Sequence, residues 1–240
     1  MNTEDLLKVE IFKGLAIIGP AGCGKSHLLV NLILKNYEAF EDNIVHFVTN
    51  SIDEPVNNLL RQRFKNRILF YNSLQDLPEL VEFERLYTDY VPYQQEHYTG
   101  KIQYIIFDDI SGSYTPKSKM NDFLSHGIRI NVHCILMGQQ YNKLSTASKN
   151  CTESYYFFKD MSARDIEEFV FNRPPLCAEF IKSTVLHEPP RPKMFQHPYW
   201  DDHFTKDEAE TFNITCHLFR QEYRKRLNIS NPYSFVRISY

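Results

Sequence analysis

The sequence predicts an α/β fold with a mainly parallel central sheet flanked by helices. Three observations predict it. Apolar runs of strand length alternate with helical stretches through the first two thirds of the chain. A complete glycine-rich loop, Gly19-Pro20-Ala21-Gly22-Cys23-Gly24-Lys25-Ser26, joins the first run to the first helix. A later run, Tyr104-Ile105-Ile106-Phe107, ends in two acids, Asp108-Asp109.

The strand-length runs are Gly14–Ile18, Ile44–Thr49, Arg67–Tyr71, Ile102–Phe107, Val132–Gly138 and Tyr155–Phe158. Between them lie helical stretches at Ser26–Phe40, Asn57–Phe64, Asp76–Tyr87 and Lys119–Gly127. Several runs are almost continuously apolar, as expected of parallel strands covered on both faces. After Phe158 the pattern changes. Ser162–Phe171 reads as a helix with Ser162 as its N-cap. Arg173-Pro174-Pro175 and Glu188-Pro189-Pro190-Arg191-Pro192 then read as breaks, followed by a polar, aromatic-rich tail with a helix near Lys206–Arg226. The expected division is a core over residues 1–172 and a C-terminal extension over 173–240, packed on that core.

Each part of the loop at 19–26 has a physical task. Gly19, Gly22 and Gly24 free the backbone to turn successive N–H groups onto an anion. Lys25 reaches β- and γ-phosphates, and the Ser26 hydroxyl ligates Mg²⁺. The following helix points its positive end at the phosphates. Residues 19–27, from Gly19 through Pro20, Ala21, Cys23 and His27, are therefore expected to bind ATP.

Asp108 ends its strand at the carboxyl edge of the sheet, where the loop also sits, and is expected to hold the Mg²⁺ shell. Asp109 is the expected general base for the attacking water. Val132-His133-Cys134-Ile135-Leu136-Met137-Gly138 is a further buried strand ending in Gln139-Gln140; this resembles additional-strand P-loop ATPases, where a polar residue at such a strand end touches the γ-phosphate or the water, and a polar strand exit is the competing reading. His133, on an apolar strand, reads as a hydrogen-bonded structural residue.

Composition bounds the rest. A hydrophobic share of 42%, with 18 Phe and 15 Tyr, is enough for a full core. No apolar run approaches the ~18 residues of a membrane helix, and the acidic Met1-Asn2-Thr3-Glu4-Asp5 does not read as a secretory signal. The five cysteines lack metal spacing and fit buried thiols in a reducing compartment. A net charge of −3 excludes a protein that coats nucleic acid along its whole surface. DNA handling then requires a local patch or pore. Candidates are Lys117 and Lys119 in Ser111–Lys119, and the basic run Arg61–Arg67. Surface readings compete with both, and Arg224-Lys225-Arg226 also reads as surface.

Ile105-Ile106-Phe107-Asp108-Asp109-Ile110, the segment Asp122-Phe123-Leu124 with Gly127, Arg129 and Asn131, and Ile135-Leu136-Met137-Gly138-Gln139-Gln140-Tyr141 together resemble the DNA-packaging ATPases of large DNA viruses, the poxvirus-type branch of the FtsK–HerA superfamily. The resemblance runs from about Gly14 to about Phe171. It implies a RecA-like, additional-strand P-loop ATPase core that binds ATP between subunits. It also implies a homo-oligomeric ring, hexameric or pentameric, driving double-stranded DNA without sequence preference into a preformed capsid. A capsid or portal-vertex partner, and a place in the virion and the host-cell cytoplasm, follow. Aligned without gaps, Gln139 matches the family glutamine. The family's arginine follows the glycine directly, whereas this chain has Ile128 there and Arg129 next. Arg129 and Lys149 are the two candidates for a cation acting on a neighbouring subunit's nucleotide. Two other readings remain open on the residues alone: a nucleotide-gated assembly module with little turnover, and a small nucleotide kinase.

Overall fold

The structure is a computed structural model and describes residues 14–36, 43–87, 102–108, 119–159, 161–181, 206–227 and 234–239. The strands are β1 (Leu15–Ile18), β2 (Ile44–Val48), β3 (Ile68–Tyr71), β4 (Gln103–Phe107), β5 (Val132–Gly138), β6 (Ser154–Phe158) and β7 (Phe235–Ser239). The α-helices are α1 (Lys25–Lys35), α2 (Pro55–Phe64), α3 (Leu80–Tyr87), α4 (Lys119–His126), α5 (Thr146–Asn150), α6 (Ala163–Asn172), α7 (Pro174–Ile181) and α8 (Lys206–Arg226).

All strands join one seven-stranded sheet in the order β3-β2-β4-β5-β1-β6-β7. Every pairing is parallel except β6 with β7, which is antiparallel. Two features of this order carry function. β5 lies between β1 and β4, which is the additional-strand arrangement. All the parallel strands also end at the same edge: Ile18 lies beside Gly138 and Phe157, and Val48 beside Phe107.

Alternate residues of each strand face opposite sides, so each strand feeds two cores. On one face, Leu15, Ile17, Tyr104, Ile106, Ile135 and Met137 pack with Leu28, Leu29, Leu32 and Ile33 of α1. On the other, Ala16, Ile105, Phe107 and Leu136 pack beneath Phe83 of α3, Phe123 of α4 and Phe169 of α6. The second core is aromatic: the Phe169 ring meets those of Tyr141, Tyr155 and Phe157 edge-on at 5.1–5.2 Å.

Helix ends follow local chemistry. Ser162 accepts from the backbone N–H of Asp165, as an N-cap should. α1 begins at Lys25 and runs to Lys35; its expected continuation to Phe40 lies outside the described residues. α3 starts at Leu80 rather than Asp76. The Asp76 carboxylate instead accepts from the backbone N–H and hydroxyl of Ser73, closing a turn before Pro78. Pro174-Pro175 does not break the chain but opens α7, because a first helical turn needs no N–H from its leading residues. β7 was not expected at all. The proline-rich run at 188–192 lies outside the described residues.

Candidate nucleotide site

The loop at 19–26 leaves the end of β1 and enters α1 at the carboxyl edge. Its glycines are needed where they stand. Gly22 has φ +70° and Gly24 φ +102°, a region side chains rarely adopt. A Cβ on Gly19 would lie 2.6 Å from Phe158 Cβ and 2.7 Å from Cys23 Sγ. The N-cap of α1 is Gly24, with no side-chain cap and no acid in the first turn. The first-turn N–H groups thus carry no capping carboxylate that would repel phosphate, and the cradle fits a nucleotide's phosphates. Lys25 Nζ donates to the carbonyls of Gly19 at 2.9 Å and Pro20 at 3.1 Å, so its ammonium stays inside the loop.

Cys23 is buried beneath the loop. Burial pushes its thiol up, while the nearby charges of Lys25 and, more weakly, Lys159 pull it back. Ser26 is half-buried at the start of α1 and His27 is exposed.

Asp108 follows β4 directly, and its N–H donates to the Val48 carbonyl at 2.9 Å. The Thr49 hydroxyl donates to Asp108 Oδ2 at 3.0 Å and accepts from the backbone N–H of Ser51 at 3.1 Å. Thr49 thus orients the carboxylate that would share Mg²⁺ with Ser26. Among the described residues no group of three His, Cys, Asp or Glu side chains is arranged to hold a metal alone. This donor set suits Mg²⁺, which keeps waters and shares its shell with phosphates. Thr49 was not singled out in the sequence; its one signal is a hydroxyl at the end of the strand neighbouring β4. Asp109, the expected base, lies outside the described residues, as does Ser111–Ser118 with Lys117.

Gln139 follows β5 and is exposed at the same edge. The Gly138 carbonyl before it accepts the Gly19 N–H at 3.0 Å, which ties the end of β5 to the first turn of the loop. Gln140 already leads into the 3₁₀ turn Tyr141–Lys143, so Gln139 is the one that directly follows β5. His133 has its ring 5.8 Å from that of Tyr104, centroid to centroid, within the sheet.

The structure does not bring Arg129 or Lys149 to this edge. Arg129 is exposed in the 3₁₀ turn Gly127–Ile130, just before β5 begins. The seven residues of β5 therefore separate it from Gln139 by ~20 Å at about 3.3 Å per residue. Ile128, 53% exposed, accompanies it on the surface. Asn131 closes the turn with φ 59°, ψ 33°, a conformation asparagine tolerates well. Lys149 is buried, pairs with Glu168 at 2.9 Å and lies 5.2 Å from the centroid of the Tyr141 ring.

Other basic residues are also held within the fold. Lys119 bonds Glu79 at 2.9 Å and the Leu77 carbonyl at 2.6 Å. Arg61 lies 4.5 Å from the centroid of the Phe70 ring. Arg226 bonds Glu222 at 2.6 Å and the Phe180 carbonyl at 3.2 Å.

The poxvirus A32 protein family matches residues 2–179. The chain belongs to that family. The resemblance read from the sequence, to the poxvirus-type packaging ATPases, is thereby borne out. Among solved structures, the genome packaging NTPase B204 from Sulfolobus turreted icosahedral virus 2, in complex with sulfate, matches with a TM-score of 0.51 at 11% identity, over 71% of this chain and 86% of that chain. ATPases 2 and 3 of Thermomonospora curvata EccC match with a TM-score of 0.46 at 17% identity, over 64% of this chain and 31% of that chain. At 11% identity the likeness to B204 speaks to the fold alone. No curated protein sequence matches the chain. Among the described residues, no helix of this A32-family protein is long and apolar enough to cross a membrane.

Proposed function

We propose that this A32-family chain hydrolyses ATP to ADP and phosphate with Mg²⁺, and that a homo-oligomeric ring of it, hexameric or pentameric, couples hydrolysis to moving double-stranded DNA into a preformed capsid. The observation that carries the ATPase reading is the uncapped first turn of α1, set one strand away from Gln139 and two from Asp108 at one sheet edge. The family match supports the packaging role.

When bound, Mg²⁺ would offset negative charge on the β- and γ-phosphates. Ser26 and Asp108 would hold it, with Thr49 fixing the carboxylate. Lys25 and the loop amides would stabilise charge on the transferred phosphoryl group. Asp109, next in chain to Asp108, would take a proton from the attacking water as its oxygen bonds the γ-phosphorus and the bond to ADP breaks. Gln139 would orient that water or touch the γ-phosphate.

Arg129, a strand's length from its own loop, would act on another subunit's nucleotide. An exposed Ile128 beside it suits a contact between copies. Lys149 is engaged with Glu168, which favours Arg129 as the trans-acting group. A capsid or portal-vertex protein is the proposed partner, and the virion and host-cell cytoplasm the proposed location. The test is ATP hydrolysis with and without double-stranded DNA. Stimulation of the wild type by DNA of any sequence is expected; hydrolysis indifferent to DNA would contradict the motor and leave the ATPase.

A further inference from the structure

β6 is the strand beside β1 on the side away from Asp108. Their register places Ile18 against Phe157. A Cβ on Gly19 would lie 2.6 Å from Phe158 Cβ, so the two chains stay side by side one place further, and Lys159 follows Phe158 directly. Lys159 is therefore exposed at the flank of the phosphate loop.

Its backbone is unusual. Lys159 has φ +59°, a left-handed conformation that a lysine rarely adopts. Something must hold it there, and α8 supplies it. The Tyr223 hydroxyl donates to the Lys159 carbonyl and, at 3.3 Å, to the Phe157 carbonyl. Tyr223 is fully buried, its ring stacked on that of Phe219. From the outer side, Phe235 of β7 packs on Phe158 at 5.4 Å between centroids. A strained, exposed cation braced by two separate elements of the C-terminal segment is the pattern of a functional position.

The sheet order gives this cation a partner. Asp108 and Gln139 lie on one side of the loop, and Lys159 lies on the other. A triphosphate with its γ end toward Asp108 must send its α-phosphate and nucleoside the opposite way. We propose that Lys159 pairs with the α-phosphate of the bound nucleotide and that Tyr223 is the positioning residue that aims it. This rests on the reading of the loop as an ATP site. It also makes the C-terminal segment part of nucleotide binding.

The test is equilibrium binding of ATP and ADP to the full chain. Lys159→Asn removes the charge with a residue that tolerates the left-handed backbone. Roughly five- to tenfold weaker binding is expected, by a similar factor for ATP and ADP, as for one lost charge-assisted contact. Lys159→Arg should restore most of it. Tyr223→Phe should weaken binding in the wild-type background but add little to Lys159→Asn, because both act through one contact. If wild type fails to bind ATP, the ATPase reading itself falls. If wild type binds and Lys159→Asn binds equally well, only this inference is overturned. A loss confined to ATP would also overturn it, by placing the cation at the γ-phosphate. Should Tyr223→Phe not fold, the asparagine and arginine variants decide alone.

Discussion

The two ends of the sheet use their charged groups in opposite ways. At the carboxyl edge, Lys25, Asp108, Gln139 and Lys159 reach the surface or the loop, and the hydrogen bonds around them orient rather than bury them. Away from that edge, Lys149 is paired within the core, His46 is buried in the middle of β2 between Tyr71 and Gln103, and Arg129 projects outward just before β5. Parallel strands explain the difference. Their carboxyl ends gather the loops that handle ligand, while their amino ends are closed by packing. Lys25 at the carboxyl edge stays within the loop, whereas Lys149 is tied into the core by Glu168.

The largest break in this comparison should come from Lys25→Ala. ATP turnover is expected to fall at least ~100-fold, as when a transition-state donor is removed, while the thermal unfolding midpoint barely moves. Unchanged turnover would remove the loop from the chemistry. Lys149→Met should do the reverse. Leaving the part-exposed Glu168 without its buried partner should cost about 3 kcal/mol of stability, read by denaturant unfolding, with ATP affinity unaltered.

His46 sharpens the structural end further. Gln103 Oε1 can only accept, so the neutral ring donates from Nε2 and accepts at Nδ1 from the Tyr71 hydroxyl. Burial lowers its pKa to about 4. Below its unfolded value of about 6.5, the unfolded chain binds the proton first. Stability should therefore fall as pH drops from about 6.5 to 4, by up to about 3 kcal/mol. His46→Gln should flatten that slope in pH-dependent unfolding. The smallest effect belongs to Thr49→Val, which frees the Asp108 carboxylate without removing it. Half-maximal Mg²⁺ for hydrolysis should rise a few-fold, about 1 kcal/mol for one hydrogen bond.

Much of this was legible from residues alone. Every strand from β1 to β6 was expected within a residue or so, because apolar runs bounded by turns are strong local signals. The loop's place between β1 and α1, and the places of Asp108 and Gln139 just past β4 and β5, were legible because motif and strand end coincide. What escaped depended on distant partners. Nothing near Lys149 announces Glu168, which lies nineteen positions on and a helix away. Lys119, a candidate for gripping DNA, is claimed by Glu79 and Leu77 from a remote turn. Pro174-Pro175 looked like a break because the same residues suit both a loop and a helix start. β7 escaped because Phe235–Ser239 is interrupted by Arg237 and follows a polar tail; its pairing with β6 is what makes it a strand.

The central claim is that one subunit's carboxyl edge binds and cleaves ATP while another's Arg129 completes the site. Mixing two inactive variants, Lys25→Ala and Arg129→Ala, tests it most directly. In mixed rings some interfaces pair an intact loop with an intact arginine, so ATPase activity should rise well above the sum of the two alone. No gain on mixing, with both variants folded and assembled, would contradict it.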